Sequence, residues 1–161
     1  MDRPTSAATL RIEPYGSEGP RWVVGRAEAE LIARYGGLDD GELGLTAAMF
    51  DPPIGSFLVA RTDGDPPGGG VGVRTVAEGV GEVGRLWVDP AWRGRGTGRA
   101  LMIGLEDAAR ALGLSALVLS TGDRQPEAVA LYESSGWERL RVDKEGEPLP
   151  AWHLRFSKII A

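Results

Sequence analysis

Leu86-Trp87-Val88-Asp89-Pro90-Ala91-Trp92-Arg93-Gly94-Arg95-Gly96-Thr97-Gly98-Arg99-Ala100-Leu101 decides how this chain is read. The stretch opens on the end of an apolar segment, residues 82–88, that reads as a strand. It closes on the start of a segment, residues 98–112, with helical period. There Leu101, Leu105, Ala108 and Leu112 share one face, and Glu106, Asp107 and Arg110 are turned away. Between strand and helix lie Arg93, Gly94, Arg95, Gly96, Thr97 and Gly98. Glycines let a backbone approach a ligand without a Cβ in the way. The helix that follows offers unpaired N–H groups and the positive end of its dipole, which suits a phosphate or pyrophosphate. Arg93, Arg95 and Arg99 add positive charge where acids usually sit. That inversion is odd for stability and sensible for anion binding; the competing reading is a tight turn with solvated arginines.

Working outward, Gly113 is placed to stop the helix in a left-handed conformation. Residues 116–120 form a short apolar run, as in a strand covered on both faces. A second helix is expected over 127–135, with Pro126 in its first turn and Gly136 at its end. Residues 139–142 and 152–159 make a final strand pair around a turn at 143–150. Strand 82–88, helix 98–112 and strand 116–120 compose a βαβ crossover, so those two strands should be parallel in a mixed sheet. Upstream, strands are expected at 10–15, 56–61 and 71–76, with a composition-rich turn at 62–70. A helix is expected over 22–35, stopped by Gly36-Gly37, and a short one around 43–49 in an ambiguous stretch.

Which anion the loop takes is narrowed by elimination. The dinucleotide fingerprint fails, since starting from Gly94 and Gly96 its third glycine position is Arg99. A Walker A loop fails because neither lysine, Lys144 or Lys158, is followed by Ser or Thr. The pattern Arg/Gln-x-x-Gly-x-Gly is met by Arg93, Gly96 and Gly98. Downstream, Ala128-Val129-Ala130-Leu131-Tyr132-Glu133-Ser134-Ser135-Gly136-Trp137 carries a second pattern, Ala-x-x-Leu-Tyr-x-x-x-Gly-aromatic. With these two segments the chain resembles the GNAT superfamily of acetyl-CoA-dependent N-acetyltransferases. The order of elements from Leu10 to Ile160 resembles that family's whole fold. The resemblance implies one α/β domain over residues 1–161, with residues 1–9 as a flexible tail. Its mixed, mostly antiparallel sheet would splay between two parallel strands and be flanked by helices.

The same resemblance implies site residues. Backbone amides at Arg95, Gly96 and Gly98 would hold the CoA pyrophosphate, with Arg93, Gly94, Thr97 and Arg99 around it. Leu86, Trp87 and Val88 would pair their backbone with the pantetheine arm, as an added strand pairs with a sheet edge. Thr121 would line the cleft, and Gln125 stands where many members carry Asn, so that contact has a longer reach here. Tyr132 is the family's position for the group serving the departing thiolate. A phenol near pKa 10 protonating a thiolate near 8.5 is uphill by about 2 kcal/mol, so hydrogen-bond donation to sulfur is the expected role. The competing reading is a core tyrosine with its hydroxyl at the surface. Glu82 sits where some members keep a catalytic glutamate, and acts as a base through water or else is a solvated strand carboxylate. His153, far along the chain from both motifs, is expected to be incidental.

Composition sets limits around this reading. The chain has 161 residues, no cysteine, one histidine and a formal net charge of -5, with a pI near 5.0. Cysteine nucleophiles, disulfides and Cys-type or two-histidine zinc sites are excluded, and no metal is expected. The acidic balance gives no nucleic-acid footprint. No apolar run approaches the roughly 20 residues of a membrane span, and residues 1–6 precede no signal-peptide core. The expectation is a cytoplasmic protein with acetyl-CoA as co-substrate and a small-molecule or peptide amine as acceptor. A homodimer is left open. The acids Glu28, Glu30, Asp39, Asp40, Glu42 and Asp51 suggest either a groove for a cationic amine or a solvated acidic face. The rival functions are a non-catalytic acyl-CoA-binding or regulatory module of the same fold and a structural partner-binding domain.

Overall fold

A computed structural model describes residues 8–37, 46–62 and 65–161. Among them, seven strands form one sheet in the order β1-β2-β3-β4-β5-β7-β6. They are β1 (Thr9–Ile12), β2 (Gly55–Arg61), β3 (Gly69–Ala77), β4 (Val80–Val88), β5 (Ala116–Gly122), β6 (Glu138–Leu140) and β7 (His153–Ile159). Three α-helices accompany them: α1 (Glu18–Tyr35), α2 (Thr97–Ala111) and α3 (Pro126–Ser134). Every strand pairing is antiparallel except β4 with β5. The sheet is therefore mixed and mostly antiparallel, with the expected parallel pair flanking α2. The short helix expected around 43–49 falls partly outside the described residues; Ala47–Phe50 is a 3₁₀ turn.

Both faces of the sheet are covered, and β2 shows how. Leu58 and Ala60 join one buried cluster with Leu101, Met102 and Leu105 of α2. Phe57 and Val59, pointing the other way by strand alternation, join Val23 and Ala27 of α1 and Phe50. This double burial explains why β2 lacks polar alternation. Helix α1 begins four residues earlier than the periodicity suggests. Pro20 lies in its first turn, where the missing N–H costs nothing.

One expected solvent residue is misassigned by period alone. Glu106 on α2 is only 8% exposed, with its carboxylate 2.9 Å from the Lys158 ammonium. Lys158 also donates to the Ser135 carbonyl at 2.9 Å, so the corner after α3 and the end of β7 close over that side of α2. The buried carboxylate is held by a paired cation.

Candidate active site

The site begins where the parallel pair ends. Strands β4 and β5 are in register only at Val80↔Ala116, Gly81↔Leu117 and Glu82↔Val118. Beyond Glu82 the strands part, and a cleft of about 300 Å³ lies between them. Glu82, Leu86, Leu119, Thr121, Gln125 and Tyr132 all line it. On its other side β4 stays paired with β3, but Arg85 and Leu86 face the single residue Val71. This bulge puts Arg85 at φ 62°, the one non-glycine with positive φ among the described residues. Its guanidinium is 3% exposed and 3.4 Å from Glu28 of α1.

The cleft continues into a groove of about 210 Å³ that shares Glu30, Leu86 and Gln125 with it. Trp87, Val88, Arg93, Gly94, Gly96, Thr97, Gly98 and Leu131 complete most of its wall. Gly96, at φ 81°, is the N-cap of α2, and the first helical bond runs from Ala100 N–H to the Gly96 carbonyl. The N–H groups of Thr97, Gly98 and Arg99 consequently have no acceptor within the helix. A Cβ at Gly94 or Gly96 would meet no protein atom within 4 Å, so the loop's open side is left for a ligand.

The arginines of this loop divide in a way the sequence did not show. Arg93 donates from Nε to the Val88 carbonyl at 2.8 Å and from Nη2 to Glu30 at 2.6 Å. Its charge is thus shared with α1, and it ties the end of β4 to the loop. Arg99 reaches the hydroxyls of Ser134 and Ser135, at 3.0 and 3.2 Å. Arg95 and Arg99 are exposed and outside the groove wall. The groove wall is formed by the loop backbone and the head of α2 rather than by these two side chains.

Tyr132 is 5% exposed, packed by Trp137 and Phe156 at ring separations of 5.9 and 5.6 Å. Burial pushes its phenol well above the usual value, so the hydroxyl stays protonated. Core tyrosine and cleft-lining tyrosine are therefore both true: the ring packs in the interior while the residue borders the cleft. Glu82 lies at the crotch of the splay and accepts a hydrogen bond from Arg74 at 3.1 Å. Gln125 Nε2 donates to Thr121 Oγ1 at 3.0 Å, so the two predicted cleft residues position one another. His153, read as incidental, also lines this cleft.

Sequence reasoning missed the contribution of α1. Its C-terminal end is fastened across the cleft to the segment between β5 and α3. Arg34 contacts Glu127 at 2.6 Å and donates to the Arg124 carbonyl at 3.0 Å, while Arg124 donates back to the Arg34 carbonyl at 2.9 Å. The Tyr35 hydroxyl accepts the Arg124 N–H at 3.0 Å. Burial acts to raise the Glu127 carboxyl, but bonds from its own amide and from Arg34 outweigh it and hold the pKa low. Three of the six acids read as either a groove or a solvated face have partners in the fold. Glu28 faces Arg85, Glu30 faces Arg93, and Asp51 accepts the Tyr15 N–H at 2.9 Å. Asp39, Asp40 and Glu42 lie outside the described residues.

Comparison with known proteins gives the site a context. The model of the acetyltransferase (GNAT) family matches residues 20–137. An IAA acetyltransferase of Azospirillum brasilense is 47% identical over 81 residues, covering 50% of this chain and 53% of that protein. A mycothiol acetyltransferase of Nocardiopsis dassonvillei is 34% identical over 154 residues, covering 88% of this chain and 46% of that protein. The chain thus spans about half the length of these curated relatives. A solved GNAT family acetyltransferase from Elizabethkingia anophelis, with acetyl-CoA bound, superposes with a TM-score of 0.66 at 17% identity. The match covers 96% of this chain and 99% of that one, which speaks to fold.

Proposed function

Since the chain belongs to the acetyltransferase (GNAT) family, we propose that it moves an acetyl group from acetyl-CoA directly onto an amine of a small molecule or protein. The observation that carries this reading is continuity. One cavity system runs from the glycine loop at the head of α2, along the unpaired edge of β4, to Tyr132 and Glu82. The residues present fit such a co-substrate: open space at Gly94 and Gly96 for phosphates, and strand backbone beyond Glu82 without a β5 partner. Acetyl-CoA supplies an activated acyl carbon, whose C–S bond breaks as the C–N bond forms, with one proton leaving the amine and one reaching the thiolate.

The chain's own groups then have distinct tasks. The N–H groups of Thr97, Gly98 and Arg99 hold phosphate charge. The edge of Leu86–Val88 orients the extended arm by strand-like pairing. Tyr132 donates a hydrogen bond where negative charge grows on sulfur; its raised pKa makes full proton transfer still more uphill than for an ordinary phenol. Glu82, paired with Arg74, takes the amine's proton through water. An alkylamine near pKa 10.4 needs such help, since freeing it at pH 7 costs roughly 4–5 kcal/mol. The test is free-thiol release from acetyl-CoA across a panel of amines. Turnover on at least one amine supports transfer. Tight acetyl-CoA binding with no release on any amine would reduce the protein to a binding module.

A further inference from the structure

The reactive cleft opens, beyond Tyr132 and Glu82, into a second space of about 520 Å³. The two share Thr121, Gln125 and His153, so whatever enters one can extend into the other. Its far wall is aromatic. Trp152 is 62% exposed, and its indole lies nearly parallel to the His153 imidazole, with centroids 5.6 Å apart and planes 16° from one another. Tyr35 closes the other side, its ring directly over Gly122, where any Cβ would collide with the phenol.

The aromatic groups are held in place by backbone. His153 is the ladder partner of Gly122, and the Trp152 carbonyl accepts the Asp123 N–H at 3.1 Å. The indole therefore keeps a fixed base at the end of β5 while leaving most of its surface in water. With one indole face against His153, the other face of this exposed tryptophan is open to a stacking partner. No Asp, Glu, Lys or Arg lines this space among the described residues, and Thr121 and Gln125 supply only neutral hydrogen-bonding groups.

We propose that this space is the acceptor subsite and that it selects an amine carrying a neutral planar aromatic group, which stacks on Trp152. The inference rests on the transferase reading above. It names the substrate class of that same site.

The experiment compares phenethylamine with butylamine and spermidine as acceptors, in wild type and in Trp152→Ala and Trp152→Phe. The expected result is a kcat/KM at least tenfold higher for phenethylamine. The aromatic-to-alkyl ratio should fall roughly tenfold in Trp152→Ala and be largely kept in Trp152→Phe. Equal ratios in wild type, or a ratio unmoved by Trp152→Ala, overturn the subsite even if amines are acetylated. Calorimetric titration of phenethylamine in the presence of CoA separates the two claims. Binding that is lost in Trp152→Ala, without turnover on any amine, upholds the aromatic subsite and removes the transfer reaction. No binding and no aromatic preference remove the subsite alone.

Discussion

Tyr132 shows how a single side chain serves packing and chemistry together. Its ring is wedged by Trp137 and Phe156, so removing only the hydroxyl leaves the packing intact. Tyr132→Phe should retain acetyl-CoA affinity and lose kcat by about 10²–10³, as for other preorganised donors to developing charge. Unchanged kcat, with chemistry rate-limiting, would return the residue to the core alone. The pH dependence has a definite sign. Because burial raises the phenol's pKa, the folded protein keeps this proton while the unfolded chain releases it above about pH 10. Stability linked to Tyr132 is whole below that pH and is lost as pH rises toward the folded value. A kinetic limb below pH 10 therefore belongs to another group and should persist in Tyr132→Phe. Glu82→Gln should lower kcat more than acceptor affinity, because a base acts in the transition state. Arg74 will need to be read with it, since that variant leaves its guanidinium facing a neutral amide.

At the scale of elements, the loop before α2 gives a clean prediction. Gly96→Val meets no packing obstacle but forces a branched residue into a left-handed conformation, costing roughly 1–2 kcal/mol or more of stability. The variant should stay folded, as seen by circular dichroism, and lose its thermal response to acetyl-CoA. A second test concerns the fastening of α1 to α3. Glu127→Gln should lower the melting temperature by about 1–2 °C at neutral pH and low salt. The lowered pKa of Glu127 means that this difference holds above the ordinary carboxylate range and disappears as pH falls through the folded value. What was legible here was local. The glycine loop, the crossover, and the stops at Gly36, Gly113 and Gly136, all at positive φ, were written in short windows of sequence. The start of α1 was not, because Gly19 and Pro20 are the two weakest helix formers. In the fold the Glu13–Arg61 ion pair passes close over Gly19, and Pro20 is harmless in a first turn. The Arg93–Glu30 and Arg34–Glu127 pairs join residues far apart in the chain and leave no local pattern to find. The bulge at Arg85 was hidden for a similar reason, since it is defined by what β3 places opposite.

The whole molecule is a sheet whose two parts meet through a parallel seam of three register pairs, with α1 fastened over the gap. A ligand spanning that gap touches both parts and favours only the folded state. Acetyl-CoA at a hundredfold excess over its dissociation constant should stabilise by about 2.7 kcal/mol, or roughly 5–10 °C in melting temperature. No shift at millimolar concentration would remove the cofactor assignment. The same short seam has a consequence for solvent exchange. Between residues 83 and 88, the backbone amides turned away from β3 have no strand across from them. In the free protein they should trade hydrogen for deuterium quickly, although they belong to a central strand whose β3-facing amides are slow. Saturating acetyl-CoA should slow the fast set by more than the general stabilisation that β2 and β3 share, giving an alternating excess of protection along one strand. Uniform protection along β4, or none, would mean that the arm does not pair with this edge.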